Sequence, residues 1–247
     1  MKKAISVFSL ILLCVCSTAF VACAKKVNPE ASRIETRTIS VGQISEIETG
    51  AINVVITPGR GSGSAQLTGP VYLLDKIRMS TKQGKLDIFI KDGKKKKRSD
   101  IVKLVITADV HDIEAYAGAN VSFTAPVATS RSFSVESYSS AVVKIPSLRA
   151  AKLDIESYSD GKIEVATLKS DGSLDIESYS GGDVVINDAV VAESDFEAYS
   201  GGKIKVNAGS LGEAEFEAYS GGSIAVKAAT TTVRQASYSG GHISLGK

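Results

Sequence analysis

From residue 111 onward, apolar and polar residues alternate in short bursts, and the bursts recur. Residues 174–186 read LDIESYSGGDVVI. Leu174, Ile176 and Ser178 share one parity, Asp175, Glu177 and Tyr179 the other, and Val184 and Ile186 fall together after the glycines. A period of two is the signature of a strand with one buried face. The Ser-Gly-Gly between the bursts supplies the positive-φ freedom that a tight bend needs. No capped segment with an i, i+3, i+4 apolar stripe interrupts this pattern.

The phrase is written seven times: IEAYAGANVSF, VESYSSAVVKI, IESYSDGKIEV, IESYSGGDVVI, FEAYSGGKIKV, FEAYSGGSIAV and QASYSGGHISL. Its tyrosines are Tyr116, Tyr138, Tyr158, Tyr179, Tyr199, Tyr219 and Tyr238, a period near 20 residues. A unit this short cannot bury its own apolar face, but stacked on like units it can. The pattern predicts an all-β fold, a single-stranded parallel β-helix or β-solenoid with about 20 residues per coil. Equivalent residues then lie one strand spacing, about 4.8 Å, apart. One inner column would be Ile113, Val135, Ile155, Ile176, Phe196, Phe216, and another Val121, Val143, Ile163, Val184, Ile204, Ile224, Ile243. Small residues beside each tyrosine (Ala115, Ser137, Ser157, Ser178, Ala198, Ala218, Ser237) would form a narrow column where the wall turns. A propeller blade needs about twice this period. A membrane barrel would carry an apolar outer band, whereas the outer parity here carries Asp, Glu and Lys.

Residues 33–110 are strand-like without the tyrosine phrase and read as atypical N-terminal coils capping the 111–247 array. ISEIETGAINVVITPG, GPVYLLDKIRMSTKQGKLDIFI and VKLVITADVHDIEAYAGANVSF, in that order, resemble the bacterial family described as putative auto-transporter adhesins with a head GIN domain. The resemblance spans roughly residues 39–245. It implies export, a pectin-lyase-like β-helix with a right-handed coil favoured, and an adhesive role. It brings no established catalytic residues. The regular tyrosine array is a departure from the family, so the resemblance assigns those tyrosines no role.

The N-terminus adds a location. Lys2 and Lys3, the apolar stretch from Ala4 to Cys16 and the small-residue run to Cys23 read as a signal peptide over residues 1–22. FVAC resembles a bacterial lipobox, with Phe20 where leucine is usual, so Cys23 is the expected lipidation site and 23–32 a polar tether. The expected location is the cell envelope, as an outer-membrane lipoprotein facing the periplasm or the outside. Cys14 and Cys16 lie inside the leader, and no cysteine follows Cys23, so the secreted domain has neither disulfide nor thiol nucleophile. Removing Lys2 and Lys3 with the leader takes the formal charge from +2 to zero. That argues against a nucleic-acid partner. The basic run at 94–98 reads as a solvated loop, with anionic lipid or polyanionic glycan contact as the alternative.

The outer parity holds the candidate chemistry. Glu114, Glu136, Glu156, Glu177, Glu197 and Glu217 stack two residues before the tyrosines, and Asp112, Asp154, Asp175, Asp195 and Glu215 two before those. At 4.8 Å, neighbouring charges repel by roughly 0.9 kcal/mol in water, on the order of 4 kcal/mol over the glutamate column before screening. Splayed side chains and salt would offset this, or bound Ca²⁺, although no calcium-loop motif is present and no metal site is assigned. The candidate ligand-contact ladder is Tyr138, Tyr158, Tyr179, Tyr199, Tyr219 and Tyr238 with Glu156, Glu177, Glu197 and Glu217. Stacked tyrosines could equally be structural, shielding the wall. Only His111 and His242 offer imidazole, and HExxH, P-loop and GxSxG motifs are missing. The sequence reads as a non-catalytic adhesin or ligand-binding solenoid without a cofactor, its partner a glycan or protein. A structural envelope protein is the second reading and a carbohydrate-active enzyme the third.

Overall fold

The computed structural model describes residues 33–91 and 100–246. The predicted leader, Cys23, the tether and the 94–98 basic run lie outside the described residues. The chain forms a β-solenoid of about 7 turns with about 20 residues per turn. Register is strict: Ile176 lies between Ile155 and Phe196, and Glu177 between Glu156 and Glu197. The expected inner columns are buried throughout the middle of the stack.

Each coil has three walls, one more than the sequence pattern resolves. Asp183–Tyr199 is one bent strand that runs through two corners into the next coil. Its inward alternation restarts at Ala189 and Val191, and again at Ser194, Phe196 and Ala198. Leu148, Leu168 and Ala189 stack on this third wall. It holds only about two inward residues per coil, such as Ala189 and Val191, a run too short for a periodicity search.

The turn after each tyrosine is tight. Gly182 N–H donates to the Tyr179 carbonyl, and Ser180 and Gly181 between them take φ of 50° and 82°. The serine and the first glycine therefore make the bend. The second glycine serves packing: a Cβ on Gly202 would sit 2.0 Å from the Ser178 carbonyl oxygen. Buried serines brace three of these corners. Ser178 Oγ donates to the Gly182 carbonyl and accepts from the Lys203 N–H one coil on. Ser137 and Ser157 repeat the arrangement.

The N-terminal region is not a simple run of parallel coils. Glu46–Gly50 pairs in parallel with Lys85–Ile90 on one side and Asp112–Tyr116 on the other. Asn53–Pro58 lies likewise between Lys103–Ala108 and Asn120–Phe123. The later strands Lys85–Ile90 and Lys103–Ala108 thus stack beneath the earlier strands Glu46–Gly50 and Asn53–Pro58. Antiparallel strands then cover the exposed bottom: Ser64–Pro70 on Lys103–Ala108, Ile34–Ser40 outside it, and Ile77–Lys82 on Lys85–Ile90. Covering strand edges in this way removes a template for unwanted pairing. At the opposite end, among the described residues, no antiparallel strand covers the last coil. In its last strands Gln235 stands over Phe216, a polar residue where the coil below holds an aromatic one.

Candidate functional site

The outer face of the tyrosine wall is built of three rows, because alternate residues of each first-wall strand point outward. The first row is Glu46, Asp112, Ser134, Asp154, Asp175, Asp195 and Glu215. The second is Glu48, Glu114, Glu136, Glu156, Glu177, Glu197 and Glu217. Cations close both ends of the first row, Lys85 beneath Glu46 and Arg234 above Glu215, while Asp87 lies beneath Glu48 in the second. Lys85 Nζ lies 2.5 Å from Glu46 and 3.0 Å from Glu48, and hydrogen bonding to Glu46 raises its pKa. Arg234 lies 2.7 Å from Glu217. Sequence reasoning missed both: Lys85 reaches the wall through the out-of-order stacking, and Arg234 breaks the acidic pattern only in the last coil. Lys144 and Lys162 pair with Glu164 on the second wall.

The third row is the tyrosine ladder. Tyr179 Oη donates to Glu177 at 2.8 Å and Tyr199 Oη to Glu197 at 2.7 Å. Tyr158 donates to Glu156 and Tyr219 to Glu217 in the same way. Each hydroxyl thus gives a proton bond to a carboxylate two residues back, offsetting part of the repulsion within the glutamate row. The rings of Tyr158, Tyr179, Tyr199, Tyr219 and Tyr238 stack at 5.1, 4.7, 4.8 and 4.9 Å. Desolvation, then the glutamate bonds, push the Tyr158, Tyr179 and Tyr199 phenols up. At Tyr219 the Glu217 bond leads and the value reaches about 12.

This geometry sharpens what the ladder can offer. Ring faces are taken up by neighbouring rings, so most of the strip presents ring edges and hydroxyl–carboxylate pairs. Tyr238 ends the stack, half exposed. Tyr138 differs from the rest: it stacks on Tyr116 at 5.7 Å and its hydroxyl donates to Glu114 in the coil below.

The aspartate row is electrostatically strained. Burial, then neighbouring Asp154 and Asp195, raise Asp175 from 3.8 to about 6. Burial is also the leading cause of the upward shifts at Asp112 and Asp195. Where the third wall meets the tyrosine wall, Asp175, Asp195, Glu193, Glu213, Glu215 and Lys152 line a shallow cavity of about 270 Å³. Among the described residues, no group of three His, Cys, Asp or Glu side chains is placed to hold a metal ion.

A family model described as "Putative auto-transporter adhesin, head GIN domain" matches residues 45–230. The chain belongs to this adhesin family. Solved structures agree with the fold. A putative adhesin from Parabacteroides merdae superposes with a TM-score of 0.66 at 15% identity, covering 87% of this chain and 97% of its own. A putative lipid binding protein from Parabacteroides distasonis gives 0.65 at 16%, covering 87% and 97%. A putative adhesin from Bacteroides fragilis gives 0.54 at 18%, covering 88% and 99%. At such identities the likeness speaks for the fold alone. No curated protein matches. Among the described residues, no helix is long and apolar enough to cross a membrane.

Proposed function

We propose that this member of the adhesin family is a non-catalytic cell-envelope lipoprotein, anchored through Cys23, whose tyrosine wall holds an extended glycan or protein ligand. The observation that carries the reading is the preset order of that wall. Hydroxyl–carboxylate pairs repeat on four successive coils, from Tyr158 to Tyr219, with their rotamers fixed by stacking and hydrogen bonding. A surface ordered beforehand loses little side-chain entropy on binding. The strip is roughly 30 Å long at about 4.8 Å per coil, so a periodic or extended ligand can meet several equivalent pairs at once. The family assignment supports adhesion over catalysis, and the acids recur evenly rather than gathering around one reacting bond.

The test is a screen of the protein against glycan and matrix-protein arrays, with polysaccharide digestion followed in parallel. Saturable binding without product release is the expected result. Product release would establish a carbohydrate-active enzyme. An inert protein on every array would favour a purely structural envelope role.

A further inference from the structure

The tyrosine ladder is divided between Tyr138 and Tyr158, and the cause lies two coils lower. A Cβ on Gly50 would come within 2.5 Å of the Tyr116 ring, so that ring occupies the space a side chain would fill. Tyr138 stacks on Tyr116 with an interplanar angle of 11° and follows it downward, its hydroxyl reaching Glu114 rather than the glutamate of its own coil. Tyr158 begins the upper stack and donates to Glu156 of its own coil. Tyr138 and Tyr158 directly follow residues paired in register, Ser137 and Ser157, yet their rings make no contact with each other.

Glu136 sits at this break. Tyr138, which would serve it by the pattern of the upper coils, bonds to Glu114 instead. Among the described residues Glu136 forms no hydrogen bond or ion pair, and the charges acting on it, Glu156, Glu114, Asp112 and Asp154, are all acidic. Burial and those neighbours raise its pKa, as expected for a carboxylate lacking a partner. The break therefore combines two tyrosine rings without a stacking partner between them and a carboxylate without a cation.

We propose that the step between Tyr138 and Tyr158 is a binding slot for a guanidinium group, an arginine side chain of a protein ligand, with Glu136 as its counter-ion. A guanidinium is flat, stacks on aromatic faces and donates in its own plane to a carboxylate. An ammonium group has no flat face to enter between rings. The proposal rests on the tyrosine wall being the ligand-binding surface, and it favours a protein ligand over a glycan.

The test titrates the protein with N-acetyl-arginine amide and follows the tyrosine ring signals by NMR. Signals of Tyr138 and Tyr158 should shift saturably while those of Tyr199 stay, and the lysine analogue should bind more weakly. Glu136→Gln should weaken arginine binding by about tenfold or more, the loss of one charge-assisted pair, with no fall in the thermal midpoint. Glu164→Gln, whose glutamate already pairs with Lys144 and Lys162 on the second wall, should bind arginine as the parent does. Unmoved Tyr138 and Tyr158 signals, equal binding by Glu136→Gln, or equal loss in Glu164→Gln would each overturn the slot. Arginine binding beside silent arrays would leave the slot standing and refute the adhesive reading; array binding without arginine binding would do the reverse.

Discussion

Acid should stabilise this protein over a range in which acid weakens many others. Asp175 is the clearest case: its carboxyl rises from 3.8 in the unfolded chain to about 6 in the folded wall. The folded state therefore binds the proton more tightly. The stabilisation is absent above about pH 6, grows as pH falls, and is complete below the unfolded value. A shift of two units corresponds to about 3 kcal/mol. The side chain is only partly buried, so screening reduces this to on the order of 1 kcal/mol. Asp112, Asp195 and Glu136 shift in the same direction, and Glu164, held down by Lys144 and Lys162, in the other. For a domain of this size 1 kcal/mol moves the midpoint by about 3 °C. Because pH 5 still lies above the unfolded value of 3.8, only about half of this is realised there, and thermal melts by circular dichroism should give a midpoint about 1–2 °C higher at pH 5 than at pH 7.5. Asp175→Asn, which removes the charge at every pH, should raise the midpoint at pH 7.5 by up to about 3 °C and flatten the pH dependence. A midpoint that falls between pH 7.5 and pH 5, or an Asp175→Asn protein less stable at pH 7.5, would refute the reasoning.

Three further substitutions separate the parts of a coil. Gly202→Ala drives a Cβ to 2.0 Å from the Ser178 carbonyl, whereas Gly201→Ala has open space and meets only its φ of 80°; urea midpoints should show the Gly201 change costing about 1–2 kcal/mol and the Gly202 change clearly more. Ser178→Ala removes the hydroxyl's bonds to the Gly182 carbonyl and the Lys203 N–H, which remain bonded to each other, and should cost about 1 kcal/mol by the same measurement. Phe216→Ala opens a cavity beside Phe196, 5.2 Å away, and should cost about 3–5 kcal/mol.

The repeating half of the fold is legible in the sequence because stacking makes register visible. Once the tyrosines are aligned, the inner columns at Ile176 and Val184 and the outer rows at Asp175 and Glu177 follow from parity alone. What is hidden is nonlocal. Nothing in Lys85–Ile90 announces that it stacks beneath a segment written forty residues earlier, so the charge that closes the first acidic row at Lys85 goes unseen. The third wall escapes because Ala189 and Val191 make too short a run to show a period. The break at Tyr138 depends on Gly50, a glycine that reads as an ordinary corner residue until the Tyr116 ring is found lying over it. Of the candidate ladder, the positions were readable and the hydroxyl–glutamate pairing was not, since parity places side chains on a face without saying which of them meet.

The wall itself is tested most directly by comparing two charge variants on the same ligand arrays. Glu177→Gln with Glu197→Gln alters the tyrosine wall while keeping side-chain shape. Lys203→Glu with Lys205→Glu alters the neighbouring wall, where both residues face outward. With melts confirming that both proteins fold, the first pair should lose ligand binding and the second should retain it. Binding kept by the glutamine pair and lost by the lysine pair would place the ligand on the other wall and contradict the account.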